Sequence, residues 1–275
     1  MSDFLTLGWV LAGLALMGVA SAWTGLFLSL KGDVLSGDVL AHGVLPGIAL
    51  GFIFSGSKEI YYLAPAAFLS GWLTLESRDW LVRNGIRSDT AAAMALSVFY
   101  GLGIVLMSYI RSSGQGAQSG LDRFLFGSAA AILPEEIIFS SLLALSILAL
   151  IRWKYHTLFL CFFDREWAQS IGFKPRQADR IITLMTLACV VIGVQMAGVV
   201  LMSSFLIAPA IGASSWVRSF KGRIPAVASI SVLSILLATL ISFYQPQMPT
   251  GPWVVVVLSA FAFLGIATTT WVRKS

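Results

Sequence analysis

The sequence predicts an all-α, polytopic transmembrane helical bundle of eight or nine spans, and three observations carry that prediction. Of its 275 residues 57% are hydrophobic and only 11% charged, with a mean hydropathy of +0.86. Soluble domains carry about 25% charged residues, so this chain cannot cover a water-facing surface of ordinary polarity, whereas a bundle surrounded by lipid has no need to. Apolar stretches of about 20 residues, the length that crosses a hydrocarbon core of about 30 Å, recur from end to end. The Lys and Arg residues cluster in alternate connections between those stretches, as they do in chains threaded through a membrane.

Taken in order, the predicted spans cover residues 5–30, 34–55, 61–83, 88–110, 133–153, 178–195, 197–217, 223–244 and 250–272. The first lacks a basic flank and runs past signal-peptide length, so it is read as a retained span. The division between the sixth and seventh is the open one: Gly193 and Gly198 interrupt a long apolar run near Gln195, as a broken helix or as two helices. With nine alternating crossings, Lys58, Arg111 and Arg123 face one side and the other fifteen of the eighteen Lys and Arg residues face the opposite side. The positive-inside rule makes that second side cytoplasmic, which puts the N-terminus outside and the C-terminus in the cytoplasm. Trp80, Trp153, Trp216, Trp253 and Trp271 fall near span ends, where amphipathic rings anchor at the interface. The net charge of +5 therefore reads as a topology signal, and no nucleic-acid partner is implied. Two polar stretches are not spans. Ser112–Arg123 reads as an external loop, followed by Pro134, Glu135 and Glu136 as a helix start. Lys154–Arg180 contains the longest cytoplasmic segment, residues 154–177, within what is otherwise a single domain over 1–275. Cys161 and Cys189 stand far apart without a CxxC and read as buried thiols.

Polar chemistry enters the membrane at one place. Asp38 and His42, four residues apart, project from one face of a predicted helix. A carboxylate and an imidazole on one face supply two ligand types to a divalent cation. A charged Asp costs about 2.5–3.5 kcal/mol at a helix centre on insertion scales, so such a residue faces a bundle interior or a water-filled path. The alternative is that the span begins later, with Asp38 as its cap and His42 as a packed histidine. The same helix carries Gly43, Gly47 and Gly51 at four-residue spacing, a face on which another helix approaches closely, and Pro46, which removes a backbone donor just beyond His42.

The segment from Ser36 to Gly51, SGDVLAHGVLPGIALG, resembles the signature of the manganese/zinc/iron permease family of bacterial ABC importers, close to M-G-D-A-(I/L)-S-H-A-V-L-P-G. In the same order, Arg87-Ser-Asp-Thr-Ala91 is similar to that family's D-T-A stretch and Leu125-Phe-Gly-Ser128 to its L-F-G motif. Phe163-Asp-Arg-Glu-Trp-Ala168 with Gly172 is similar to its F-D-x-x-x-A-x-x-x-G loop, Leu206-Ile-Ala-Pro-Ala210 to its L-I-T-P-A run, and Thr250-Gly-Pro252 to its final G-P turn. Ser36, Ala41 and Gly43 depart from the usual Met, Ser and Ala, and none of these removes a ligand. The resemblance implies a type II ABC importer-like fold in the bacterial inner membrane and a dimeric permease, of two identical or two related chains. It also implies a cytoplasmic ATP-binding subunit, an extracytoplasmic metal-binding protein, and metal contacts at Asp38 and His42. The metal is transported substrate, with no permanently bound cofactor.

The residues add to this. No GxxxxGK[ST] loop occurs in the chain, so ATP hydrolysis falls to a partner and the chain itself is not an enzyme. Asp164 can cap a short helix, Trp167 and Ile171 give it an apolar side, and Gly172 can end it in a left-handed turn. That segment suits docking in a partner's groove, or lying on lipid; the resemblance favours docking, with Asp164, Trp167, Ala168 and Gly172 as its coupling residues. Gln195, Met196, Met202 and Ser203 are candidate further ligands. Two histidines and no His-rich loop lean toward Mn²⁺ or Fe²⁺ over Zn²⁺. The competing readings are a permease for a metal chelate or vitamin, an ion-coupled secondary transporter with Asp38 as its protonatable carrier, and an intramembrane enzyme.

Overall fold

A computed structural model describes residues 2–57, 59–112, 134–244 and 250–274. The L-F-G motif and most of the predicted external loop lie outside the described residues, which are helical with no strand. The helices are α1 (Ser2–Lys31), α2 (Leu35–Gly43), α3 (Leu45–Ser55), α4 (Ile60–Arg83), α5 (Ser88–Ser112) and α6 (Pro134–Phe163). They continue with α7 (Arg165–Ser170), α8 (Pro175–Ala197), α9 (Val199–Trp216), α10 (Phe220–Tyr244) and α11 (Thr250–Lys274).

Nine segments correspond to the nine predicted spans, with α2 and α3 together making the second. Eight are long and apolar enough to cross a membrane; α4 is the exception. Its 24 residues are apolar at first, with Tyr61, Tyr62, Leu69 and Trp72 exposed, but Glu76, Arg78, Asp79 and Arg83 crowd its last third. At 1.5 Å per residue it is about 36 Å long, enough to cross, with the charges gathered at one end.

The helices form two groups. α1 packs against α6, α8, α9 and α10, and α9 also packs against α11; α2, α3, α4 and α5 pack among themselves, joined to the first group by α8 and α9. The close approaches occur at glycine. A Cβ on Gly25 of α1 would overlap the backbone carbonyl of Leu206 in α9, and one on Gly37 of α2 would stand 2.9 Å from the Leu206 side chain. Leu206 thus wedges between α1 and α2.

Three details differ from, or sharpen, the sequence expectation. α6 does not stop at the predicted membrane exit near residue 153 but continues to Phe163, so much of the segment 154–177 is helix. Nothing in 154–163 breaks a helix, and Tyr155 and Phe159 pack with Phe27 and Phe220. The run around Gln195 is two helices: α8 ends at Gly198, whose φ of 80° and ψ of 163° favour glycine. Met202 then lies against Gly193, which requires the chain to turn back there. The second span is interrupted at Val44, because Pro46 cannot donate to the His42 carbonyl and its ring crowds that position.

Ion pairs fix which ends lie together. Arg78 of α4 pairs with Asp33 after α1, Lys31 lies 3.2 Å from Asp33 and 4.0 Å from Asp179 of α8, and Arg165 of α7 reaches Asp179 at 2.9 Å. The end of α1, the end of α4, α7 and the start of α8 therefore share one end of the bundle, as alternating crossings require.

Candidate metal-transport site

α2 starts only three residues before Asp38, so the carboxylate stands in the helix's first turn rather than mid-span. It does not cap the helix: the N-cap is Val34, with no side-chain cap bond. Its Oδ1 lies 3.3 Å from His42 Nδ1, and the same Nδ1 is 3.1 Å from the Asp38 backbone oxygen. A proton on Nδ1, donated to Asp38, leaves the lone pair of Nε2 free. His42 Nε2 and Asp38 Oδ2 are thus the two atoms of the pair left to face a ligand. Both side chains are partly open, 21% exposed for His42 and 33% for Asp38. Tyr100 of α5 stands edge-on to the imidazole with ring centroids 5.0 Å apart.

The backbone around the pair is held from α4. The interruption at Val44 leaves the Gly43 carbonyl in need of a donor, and the Ser70 hydroxyl supplies it at 2.6 Å, with the Thr74 hydroxyl 3.3 Å away and shared with the Ser70 carbonyl at 2.8 Å. A Cβ on Gly43 would come within 2.6 Å of the Thr74 hydroxyl, so this bonding requires glycine there. Beyond the break, a Cβ on Gly47 would overlap the Ala66 carbonyl and stand 2.7 Å from the Ala67 Cα, and one on Gly51 would stand 3.1 Å from the Ala66 Cβ. From the other side, Gly103 of α5 admits Leu45 and Pro46. α3 is thereby clamped between α4 and α5.

Two spaces lie along α2 and α3, and neither is lined by Asp38 or His42 themselves. Toward the Ser55–Glu59 end, a groove of about 860 Å³ opens between α3, α4 and α5, walled by Pro46, Leu50, Leu69 and Phe99 and ending at Ser57 and Glu59. Toward the other end, a polar cavity of about 170 Å³ holds Lys31, Asp33, Ser36, Arg78, Asp79 and Thr186. Arg78 organises it. Its guanidinium donates to both Asp33 oxygens at 3.0 and 2.7 Å, to Ser36 Oγ at 2.6 Å and to Ser88 Oγ at 2.9 Å. Burial alone would raise the Asp33 pKa, but the Arg78 and Lys31 charges and the hydrogen bonds from Ser36 and Arg78 outweigh it and hold the carboxyl below its ordinary range. Asp33 is therefore engaged by two cations.

The remaining sequence candidates fall elsewhere. Met202 packs on Gly193, the Met196 methyl lies toward Gly13 of α1, Gln195 is buried with its amide nitrogen unpaired, and Ser203 donates to the Val200 carbonyl. Among the described residues no group of three or more His, Cys, Asp or Glu side chains is placed to hold a metal. Cys161 and Cys189 are buried and free. In the connection after α6, the Asp164 carboxylate accepts the Trp167 N–H at 2.9 Å and so caps α7. Gly172, at φ 91°, turns the chain so that the Phe173 N–H reaches the Ala168 carbonyl at 2.9 Å. Ala168 is buried, whereas Trp167 and Ile171 are about half exposed.

The sequence reading missed Tyr100, Ser70, Thr74 and Arg78. Tyr100 carries no local signal, but Ser70, Thr74 and Arg78 recur at four-residue spacing, a polar stripe on one face of an apolar helix.

Residues 3–269 match the family described as the ABC 3 transport family. The manganese transport system membrane protein MntC of Bacillus subtilis is 38% identical over 255 residues, which are 92% of this chain and 58% of that protein. This chain therefore spans less than two thirds of that relative's length. The zinc transport system membrane protein TroC of Treponema pallidum is 34% identical over 268 residues, 96% of this chain and 89% of that protein. The structure of PsaBC from Streptococcus pneumoniae in complex with a Fab superposes with a TM-score of 0.81 at 26% identity, over 93% of this chain and 89% of that one.

Proposed function

Because the chain belongs to the ABC 3 transport family, we propose that this multi-pass protein of the bacterial inner membrane is the permease of an ATP-driven importer for a divalent metal ion. Manganese, iron and zinc are the candidate ions, since relatives are named for manganese, zinc and iron transport. The observation that carries the reading is the Asp38–His42 pair, with one oxygen and one nitrogen left free, one turn before the helix break whose far side lines an open groove. A carboxylate oxygen and an imidazole nitrogen suit all three ions, with the carboxylate favouring manganese.

Two ligands are a partial shell. A second permease chain, identical or related, would bring a second carboxylate–imidazole pair and close the groove, converting an open half-channel into a path. The apolar face of α5 at Met94, Val98, Leu102, Val105 and Tyr109 is exposed and adjoins Tyr100, which makes it the natural seat for that chain. Loose coordination is an advantage in transport, because an ion held too tightly does not leave. Water contributes the rest of the shell until the ion is released.

An extracytoplasmic metal-binding protein delivers the ion at the Ser57–Glu59 end, and a cytoplasmic ATP-binding subunit drives release at the opposite, cation-rich end. The chain contributes no nucleotide chemistry of its own. The segment 154–177 couples the two, through α7: the Asp164 cap and the Gly172 turn fix a short helix whose Trp167 and Ile171 project for docking.

The test is uptake of radioactive Mn²⁺, Fe²⁺ and Zn²⁺ in cells carrying the chain with its ATP-binding and metal-binding partners. Asp38→Ala and His42→Ala each reduce uptake to background at unchanged membrane level and unchanged ATP-binding-subunit assembly. Wild-type uptake in both variants removes the pair from the mechanism.

A further inference from the structure

Away from the proposed ion path, α1, α6 and α10 leave a cleft of about 360 Å³ that nothing in the transport reading uses. Trp23, Leu26, Ile151 and Ile224 supply an apolar floor, and Arg152 and Lys221 line it as cations. Both cations are exposed, and neither has an acidic partner among the described residues. Unpaired, same-sign charges over an apolar floor are an unfavourable surface for a protein to hold in isolation. They are favourable beneath a ligand that is anionic at one end and apolar at the other.

The cleft's level in the bundle identifies that ligand. It lies at the end shared by the Lys31 terminus of α1 and the Arg165–Asp179 pair, since Phe27 packs on Tyr155 and Phe220 there. Trp153, next to Arg152, is 76% exposed with the Lys154 ammonium 4.4 Å from its ring centroid, the arrangement of a side chain at the headgroup layer. This end carries most of the chain's basic residues, so it faces the anionic leaflet when the positive-inside rule is obeyed. A basic pocket between helices at that level takes a phospholipid headgroup.

We propose that this cleft is a binding site for an anionic phospholipid, with the phosphate on Arg152 and Lys221 and the upper acyl chain along Trp23, Leu26 and Ile224. A free phosphate would use the two cations and leave the apolar floor wet; the lipid covers both. None of α2, α3, α4 or α5 lines the cleft, so the site is separate from the ion path, and its failure would leave the metal reading untouched.

The experiment is native mass spectrometry of the full permease, purified with its partners, titrated with phosphatidylglycerol or phosphatidylcholine. Wild type retains phosphatidylglycerol with roughly thirtyfold preference, the order expected from two cations near the surface. Arg152→Gln with Lys221→Gln abolishes the preference, while the charge-keeping Arg152→Lys with Lys221→Arg retains it. A millimolar excess of inorganic phosphate leaves the bound lipid in place. Equal retention of both lipids by wild type overturns the proposal, as does an unchanged preference in the double Gln variant. Displacement by inorganic phosphate overturns it too, by making the cleft a simple anion site.

Discussion

Replacing Arg78 with Met keeps the aliphatic length and removes the charge from the side chain that organises the polar cavity beside α2. Four hydrogen bonds vanish together, two to Asp33 and one each to Ser36 and Ser88. Arg78 and Asp33 side chains are 10% and 13% exposed, so little solvent replaces what is lost. Asp33 keeps Lys31, at 3.2 Å, and the hydrogen bond from Ser36. Removing one partner of a buried pair costs about 3–5 kcal/mol because the other charge is stranded, whereas replacing both by apolar groups is often close to neutral. The double variant Arg78→Met/Asp33→Leu therefore recovers most of the loss. The assay is thermal unfolding of the purified protein in detergent, followed by a double-mutant cycle. A second arm uses pH. Asp33 has a folded pKa below its ordinary 3.8, so its contribution is complete above that value and is lost as the pH falls through the depressed folded one. Wild type loses stability as the pH is taken below about 3.8, and Asp33→Asn flattens that loss. A single variant within about 1 kcal/mol of wild type, or a double variant no better than the single, refutes the reasoning.

Gly47→Ala places a methyl against the Ala66 backbone carbonyl, which cannot rotate away, and destabilises by about 1–3 kcal/mol. Gly101→Ala, with nothing within 4 Å, is the matched control and gains up to about 1 kcal/mol of helix propensity, measured in the same melts. Asp164→Ala removes the α7 cap at a local cost of about 1 kcal/mol; co-purification of the ATP-binding subunit falls, and Asp164→Asn, which still accepts the bond, restores it. Equal recovery of the subunit with Asp164→Ala would detach α7 from coupling.

How far the fold was legible depended on whether each signal was local. Apolar run length and the placement of Lys and Arg depend on solvent alone, and they located all nine helical segments. The end of α6 was not legible, because its last turns are held by Tyr155 and Phe159 packing on rings from α1 and α10, remote in sequence. Gly193 and Gly198 marked a break without deciding its form; that depended on Met202 folding back onto Gly193. At the site, the four-residue spacing of Asp38 and His42 was enough to bring carboxylate and imidazole together, since helix geometry requires it. The surroundings were not. Tyr100 meets His42 only because α5 packs on α2, and Ser70 and Thr74 matter only because the break at Val44 leaves the Gly43 carbonyl open opposite them. Asp33 shows the limit of reading charge alone, for only the structure places Arg78 on it.

The length of α6 has a mechanical consequence. Its 30 residues form an unbroken rod of about 45 Å, longer than the hydrocarbon core by about 15 Å, and only Asp164 separates it from α7. No slack loop lies between them to absorb a push. A displacement of α7 is handed to α6 as a tilt, and a rod pivoting in the bilayer moves its far end in the opposite sense. A stroke of a few ångströms applied beyond one face of the membrane thus arrives at the other face by leverage, without any residue along α6 changing its backbone conformation.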